Sequence, residues 1–217
     1  MSDTPKLYDY WRSSASYRVR IALNLLGEAY EAEPVDLLAK AHLGTDHLAR
    51  NPQGLLPALE IDGQVLTQSL AIIEYLHATR AQSSLLPNDP QGQYRARQLS
   101  YAVAMEIHPV CNLSVAVHVA GLTGGGDAEN KAWMQHFISK GLAALEDLLA
   151  QGGSGAFSMS DIPNMVDCCL IPQLYNAERW GVDFSGHEII TRVAASAAGH
   201  PAFTAAHPDE IGPPPGS

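Results

Sequence analysis

The chain has 217 residues, of which 46% are hydrophobic and 17% charged, and its formal net charge at pH 7 is −10. This composition is typical of a globular protein with a hydrophobic core, and the length allows one large domain or two smaller ones. The acidic balance, without a basic run, argues against nucleic-acid binding, and no apolar run approaches the roughly 18 residues that would span a membrane.

Cysteine and histidine residues are few and scattered. The 3 cysteines show no Cys-x-x-Cys spacing and follow no secretory leader, so we expect a reduced, cytoplasmic protein. None of the 9 histidines lies four residues from another, as a helical metal-binding pair would require. The sequence therefore predicts no metal site.

The first part of the chain alternates strand and helix signals. Residues 6–10 form a short aromatic strand, and the apolar residues within 15–26 recur at the spacing of one helix face. Gly27 is a suitable end for that helix. Residues 29–37 alternate apolar and polar positions, which predicts a second strand.

A hairpin and a second helix complete this part. Residues 58–68 predict two strands joined by an Asp62-Gly63 turn, a pair favoured in tight hairpins. Ser69 follows and is expected to N-cap a helix over 69–78. The order of elements predicts a small α/β domain over residues 1–84.

The second part of the chain is predicted to be helical. A Ser-, Pro- and Gly-containing linker over 85–90 separates it from the first domain. Strand signals then nearly vanish, and a second domain over 91–217 is predicted. Its helices cover residues 91–122, 128–151, 163–180 and 186–199. The tail that begins at Asp209 is predicted to be disordered.

Four blocks of sequence carry a resemblance to a known family. They are WRSSASYRVRIALNLLG, NPQGLLPALEIDG, QSLAIIEYL and DIPNMVDCCLIPQLYNAERWGVD, in this order along the chain. Together they resemble the zeta class of the cytosolic glutathione transferases. The resemblance implies a thioredoxin-like, glutathione-binding N-terminal domain, followed by an all-helical, substrate-binding C-terminal domain in a homodimer.

The zeta class also implies an activity. Its members isomerise maleylacetoacetate or maleylpyruvate, small dicarboxylates, from cis to trans with glutathione as the cofactor. Addition of the glutathione thiolate turns the double bond into a single bond, which rotates before the thiolate is eliminated. The alternative enzyme activity is conjugation or dehalogenation of small α-halo acids by the same thiolate, and a non-enzymatic binding or scaffold role ranks third.

A pair of serines is predicted to act on the glutathione sulfur. Ser13 and Ser14 precede the first helix, where a hydroxyl can donate to a thiolate and the helix dipole adds to its stabilisation. The resemblance favours Ser13 as the contact and Ser14 as a helper or helix cap. At position 15, where many zeta enzymes carry cysteine, this chain has alanine. The alanine is either natural, as some maleylpyruvate isomerases also lack the cysteine, or an engineered replacement.

The rest of the glutathione site follows from the matched blocks. Ser69 and Gln68 would contact the γ-glutamyl end at a helix N-terminus. Leu56, followed by a cis-proline at Pro57, would pair its backbone with the cysteinyl backbone, and Gln53 is a weaker candidate in the same loop.

Two arginines are predicted to bind the carboxylates of the substrate. Arg12 directly precedes the serine pair, and Arg179 ends a helix that faces the active site in the family. His108 and Asn112 would contact glutathione across a subunit boundary or line the cleft, or His108 would make only an interhelical hydrogen bond.

Other polar residues are predicted to be structural. Arg18 and Arg20, inside the first helix, are expected to support the fold or an interface. Asp167 lies three residues after Asn164, the spacing of a helix-capping arrangement, and is given no catalytic role.

Overall fold

The computed structural model describes residues 4–152 and 155–213 and divides them into two compact units. The first unit contains the chain up to Leu85 together with the residues from Gly199 onward, and the second runs from Leu86 to Ala198. The sequence predicts a linker over residues 85–90, and the two units are divided between Leu85 and Leu86. The C-terminal segment from Gly199 was predicted to belong to the second domain, whereas it belongs to the first unit.

A four-stranded mixed sheet forms the centre of the first unit. Its strands, in chain order, are β1 (Lys6–Asp9), β2 (Glu31–Pro34), β3 (Ala58–Ile61) and β4 (Gln64–Thr67). Their order across the sheet is β2-β1-β3-β4, with β1 parallel to β2 and the other neighbours antiparallel. Asp62 and Gly63 take φ values of 53° and 75° in the β3–β4 turn, the left-handed geometry of a tight hairpin. All four predicted strands are confirmed.

Three helices and one short 3₁₀ turn lie between or directly after these strands in the chain. They are α1 (Ser14–Leu26), the 3₁₀ turn (Ala41–Leu43), α2 (Thr45–Arg50) and α3 (Ser69–Thr79). Gly27 ends α1 in the left-handed conformation, as predicted. The sequence did not predict α2, because this six-residue helix is polar and buries only His47.

The second unit is a bundle of helices. Its elements are α4 (Pro90–Tyr101), π-helical turns (Ala102–Ile107), α5 (Leu113–Thr123), α6 (Asp127–Ala150), α7 (Met165–Arg179) and α8 (Glu188–Ala198). The prediction of one continuous helix over 91–122 is wrong. Pro109 interrupts it because proline has no N–H to donate, and Asn112 then caps a new helix by accepting from the Ser114 N–H.

The predicted capping arrangement of α7 is confirmed and fully buried. Asn164 accepts a hydrogen bond from the Val166 N–H, and Asp167 accepts one from the Asn164 N–H and another from the Ser158 N–H, both at 2.8 Å. Burial raises the pKa of the Asp167 carboxyl, while these hydrogen bonds oppose the shift. The pair therefore stabilises the start of α7.

The C-terminal residues form α9 (Pro201–Thr204) and α10 (Pro208–Ile211), and α9 packs against α1 in the first unit. Asn24 donates to the Ala202 carbonyl, and Arg20 donates to the Ala206 carbonyl. The predicted disordered tail therefore begins too early, since the chain is helical to Ile211, and residues 214–217 lie outside the described residues.

Within the described ranges, no helix is long and apolar enough to cross a membrane. Within the same ranges, no group of three His, Cys, Asp or Glu side chains is placed to hold a metal ion.

Candidate functional site

The serine pair lies at the N-terminus of α1, as predicted. Ser13 is the N-cap: its φ and ψ are −68° and 118°, and its hydroxyl oxygen accepts from the Ser16 N–H at 3.2 Å. Ser14 is the first residue of the helix, so the cap expected of Ser14 belongs to Ser13 instead. A hydroxyl that accepts one bond keeps its own proton for donation. Ser13 can therefore cap α1 and donate to a ligand at the same time.

A buried ion pair holds the backbone just before this serine pair. The Arg20 side chain is fully buried, and its Nη1 lies 2.7 Å from an Asp9 carboxylate oxygen. Nη2 of Arg20 donates to the Trp11 carbonyl at 2.9 Å, and Nε donates to the Ala206 carbonyl at 3.0 Å. The predicted structural role of Arg20 is confirmed, because one guanidinium joins β1, the segment that precedes α1 and the C-terminal segment.

Arg12 lies between this anchored segment and Ser13. Its guanidinium carbon is 4.1 Å from the centroid of the Trp11 ring, a cation–π distance. Its Nε atom is buried and bonds to no described residue. Since a buried donor without a partner is costly, this guanidinium is suited to bind an anion beside Ser13.

The loop between α2 and β3 presents an open stretch of backbone. The Leu56–Pro57 peptide bond is cis, as predicted. The Leu56 side chain packs against Tyr8, Val35 and Ala58. Neither its N–H nor its carbonyl bonds to another described residue. Leu56 therefore offers one donor and one acceptor that an extended peptide could pair with.

Gln53 and Gln68 are brought together at the start of α3. Nε2 of Gln68 donates to Oε1 of Gln53 at 2.8 Å, and both side chains are exposed. Gln68 has φ 67° and ψ 108°, a left-handed backbone that is unusual for a residue other than glycine. Such strain is often found at functional sites.

Ser69 does not cap α3, contrary to the prediction. Gln68 occupies the cap position without a side-chain hydrogen bond, and Ser69 is the first helical residue. The Ser69 hydroxyl instead accepts from Nη1 of Arg18 at 3.3 Å, with both residues buried. Ser69 thus keeps its hydroxyl proton for donation, near the first N–H groups of α3, which have no partner within the helix. Together these groups could hold a carboxylate.

The remaining predicted site residues lie in the second unit. Asn112 caps α5 by accepting from both the N–H and the hydroxyl of Ser114, at 3.0 and 2.9 Å. His108 follows the π-helical turns, and its N–H donates to the Val103 carbonyl at 3.0 Å. Arg179 is the exposed last residue of α7, with its guanidinium carbon 6.0 Å from the centroid of the Tyr175 ring.

The sheet, the cis-proline loop and the helical second unit define the glutathione transferase class. In agreement, residues 4–78 match the family described as glutathione S-transferase, N-terminal domain. The maleylacetoacetate isomerase of Rhizobium meliloti (strain 1021) is 58% identical over 213 residues, which are 98% of this chain and 100% of that protein.

Solved structures narrow the class further. The holo structure of a bacterial zeta-class maleylpyruvate isomerase is 41% identical, with a TM-score of 0.91 over 94% of this chain and 97% of that chain. The maleylacetoacetate isomerase of Anaeromyxobacter dehalogenans 2CP-1, with dicarboxyethyl glutathione and citrate in its active site, is 40% identical, with a TM-score of 0.85 over 97% of both chains. The chain therefore belongs to the zeta-class glutathione transferases.

Proposed function

We propose that this chain is a glutathione-dependent isomerase that converts maleylacetoacetate, or its close analogue maleylpyruvate, from the cis to the trans form. The full-length likeness to the Rhizobium meliloti maleylacetoacetate isomerase carries this proposal. It also favours maleylacetoacetate as the substrate. The dicarboxyethyl glutathione held by one relative joins glutathione to a dicarboxylate, as addition to such a substrate would.

We propose that residues of the first unit bind glutathione along its length. Leu56 offers its N–H and carbonyl to the cysteinyl backbone, and these groups have no other described partner. Ser69 and the first N–H groups of α3 would bind the γ-glutamyl carboxylate, with the Arg18 guanidinium behind the hydroxyl. Gln68 and Gln53 would bind polar groups at the same end of the tripeptide. When bound, glutathione supplies the thiolate that adds to the double bond of the substrate.

The start of α1 would keep that sulfur ionised. Ser13 would donate its hydroxyl proton to the sulfur, with Ser14 as a helper. The 13-residue helix has no acidic residue in its first turn, so its positive end is not neutralised. Each of these interactions favours the charged form of a thiol and so lowers its pKa.

The protein needs no cysteine of its own for this reaction. Cys111, Cys168 and Cys169 are buried and form no disulfide. Burial raises the pKa of the Cys111 thiol to about 11, which keeps it neutral at physiological pH. Cys168 and Cys169 are fully buried.

The substrate is a dianion, whereas the chain carries a net charge of −10. Local positive charge is therefore needed to bind its carboxylates. Arg12 would bind one carboxylate, since its guanidinium adjoins Ser13 and has an unused donor. Arg179 is proposed as a second carboxylate-binding residue from the family resemblance, which also assigns substrate binding to the helical unit. His108 and Asn112 are proposed as glutathione or cleft contacts on the same basis.

We further propose a homodimer located in the cytoplasm. Large apolar side chains of the second unit are exposed on the single chain, notably Met105, Leu113, Val117 and Leu122. A second subunit would cover apolar surface of this kind. Three cysteines that form no disulfide favour a reducing compartment. Light scattering at micromolar concentration tests the dimer, and a monomeric mass would contradict it.

Loss of the cis-substrate absorbance tests the proposed activity. Each substrate is followed with and without glutathione, alongside chloride release from an α-halo acid. We expect glutathione-dependent isomerisation, faster with maleylacetoacetate. Chloride release without isomerisation would instead assign the chain to dehalogenation.

Variants at Ser13 test the role of the hydroxyl in particular. Ser13→Ala removes both the hydroxyl and the cap, whereas Ser13→Gly removes the hydroxyl and loses only a few tenths of a kcal/mol in capping. We expect both variants to raise the pKa of bound glutathione, measured by thiolate absorbance against pH, and Ser13→Thr to preserve it. An unchanged titration in both Ser13→Ala and Ser13→Gly would exclude Ser13 as the sulfur contact.

A further inference from the structure

Two buried side chains hold the backbone carbonyl that precedes the proposed glutathione-binding residue Leu56. Nε2 of His47 lies 3.0 Å from the Leu55 carbonyl oxygen, and Nδ2 of Asn51 donates to the same oxygen at 2.8 Å. His47 is 3% exposed and Asn51 is 2% exposed. A carbonyl oxygen has two lone pairs, and here both are used by side chains from the end of α2.

The hydrogen bond from His47 places a proton on Nε2 of its ring. A carbonyl can only accept, so Nε2 must carry the proton. Nδ1 is buried and bonds to no described residue. Among the described contacts, the imidazole therefore makes one hydrogen bond, which it donates to the Leu55 carbonyl.

Asn51 organises the same loop at three points. Its Oδ1 accepts from the Gln53 N–H at 3.2 Å, while its Nδ2 holds the Leu55 carbonyl. Its own carbonyl accepts from the Gly54 N–H at 2.9 Å. Asn51 thus holds the loop on both sides of Gly54. Gly54 itself has a φ of 62°, a left-handed conformation that favours glycine.

We propose that His47 and Asn51 are positioning residues for glutathione binding. By fixing the Leu55 carbonyl they hold the next peptide group, which presents the Leu56 N–H and carbonyl. Asn51 also fixes the backbone of Gln53, whose side chain bonds to Gln68. A binding loop that is ordered before the ligand arrives loses less entropy on binding. This inference rests on the proposed function, because it assigns these residues a task in that same site.

The test compares variants that lose or keep the donor at residue 47. His47→Leu removes the donor and keeps an apolar side chain in the buried position, whereas His47→Gln keeps an N–H near the position of Nε2. Asn51→Asp keeps the acceptor for Gln53 but replaces the donor to Leu55 with an acceptor. His77→Leu is the control, because His77 lies in α3 and its ring bonds to Ser83.

The first readout needs no ligand. Hydrogen exchange of the Gln53 and Gly54 amides should be faster in His47→Leu and Asn51→Asp than in the wild type. Exchange in His47→Gln and His77→Leu should match that of the wild type. Unchanged exchange in both His47→Leu and Asn51→Asp would overturn the positioning role, whatever the ligand.

The second readout is the Kd of glutathione by calorimetry. We expect a Kd about fivefold weaker in His47→Leu, the size expected for one lost hydrogen bond, with recovery in His47→Gln. Because the loop contacts glutathione and not the reacting bond, kcat at saturating glutathione should stay within about twofold of the wild type. Wild-type affinity in His47→Leu would overturn this inference alone. A wild-type chain that does not bind glutathione would overturn the proposed function itself.

Discussion

Replacement of Asp9 by asparagine tests how strongly the buried ion pair supports the site. In the wild type, one guanidinium nitrogen of Arg20 contacts both Asp9 oxygens, at 2.8 and 2.7 Å, and neither side chain is more than 4% exposed. Asp9→Asn leaves the Arg20 charge buried without its counter-ion. Removal of one partner of a buried pair costs about 3–5 kcal/mol. That is a large fraction of the roughly 5–15 kcal/mol by which a domain is stable.

The matched control is a more exposed pair in the same unit. Nε of Arg80 lies 2.9 Å from a Glu28 oxygen, with side chains 19% and 28% exposed. Glu28→Gln should therefore cost no more than about 1 kcal/mol, as is usual for pairs near the surface. Both variants are measured by urea unfolding, from which the free energy of unfolding in water is extrapolated.

The two free energies decide whether the ion pair stabilises the fold as the structure indicates. We expect Asp9→Asn to lose at least about 2 kcal/mol more than Glu28→Gln. Equal losses would refute the reasoning, because they would mean that the Arg20 charge is accommodated without Asp9.

Four further predictions follow from the described geometry. Gly141→Ala should destabilise the protein by about 1–2 kcal/mol in thermal melts, because the added Cβ would clash with the side chain of the buried Ile107. Gly121→Ala, in open space, should instead stabilise it. Asp167→Ala should cost about 2–4 kcal/mol by urea unfolding, since two buried N–H groups lose their acceptor. Iodoacetamide should leave Cys111 and the other two cysteines unlabelled by mass spectrometry until the chain is unfolded. Ala15→Cys should leave stability and glutathione affinity unchanged. A tenfold rise in its turnover, about 1.4 kcal/mol of transition-state stabilisation, would show that Ala15 replaces a cysteine that contributes to the reaction.

The sequence predicted the elements whose patterns are strong and local. The face of α1 and its glycine end, the Asp62-Gly63 hairpin and the capping pair of Asn164 and Asp167 were all read correctly from residue spacing. Each depends on neighbours close in the chain, which is why one sequence suffices. The resemblance added the cis bond at Pro57.

The sequence failed where tertiary contacts decide. Nothing in the polar segment of α2 signals that His47 is buried under the Leu55 carbonyl, because that bond forms only once the loop has closed. Ser69 looked like a helix cap, but the structure directs a buried arginine to its hydroxyl. The C-terminal segment was assigned to the wrong unit, since its contacts are with α1, far away in the chain.

The fate of glutathione tests the central claim most directly. The chain is incubated with a large excess of maleylacetoacetate over glutathione, and proton NMR follows the substrate, the product and glutathione. We predict that the trans product exceeds glutathione many-fold and that free glutathione is fully recovered, because the thiolate is eliminated at the end of every cycle. Product that stops at one equivalent, with glutathione consumed as a stable conjugate, would contradict an isomerase and make the chain a transferase.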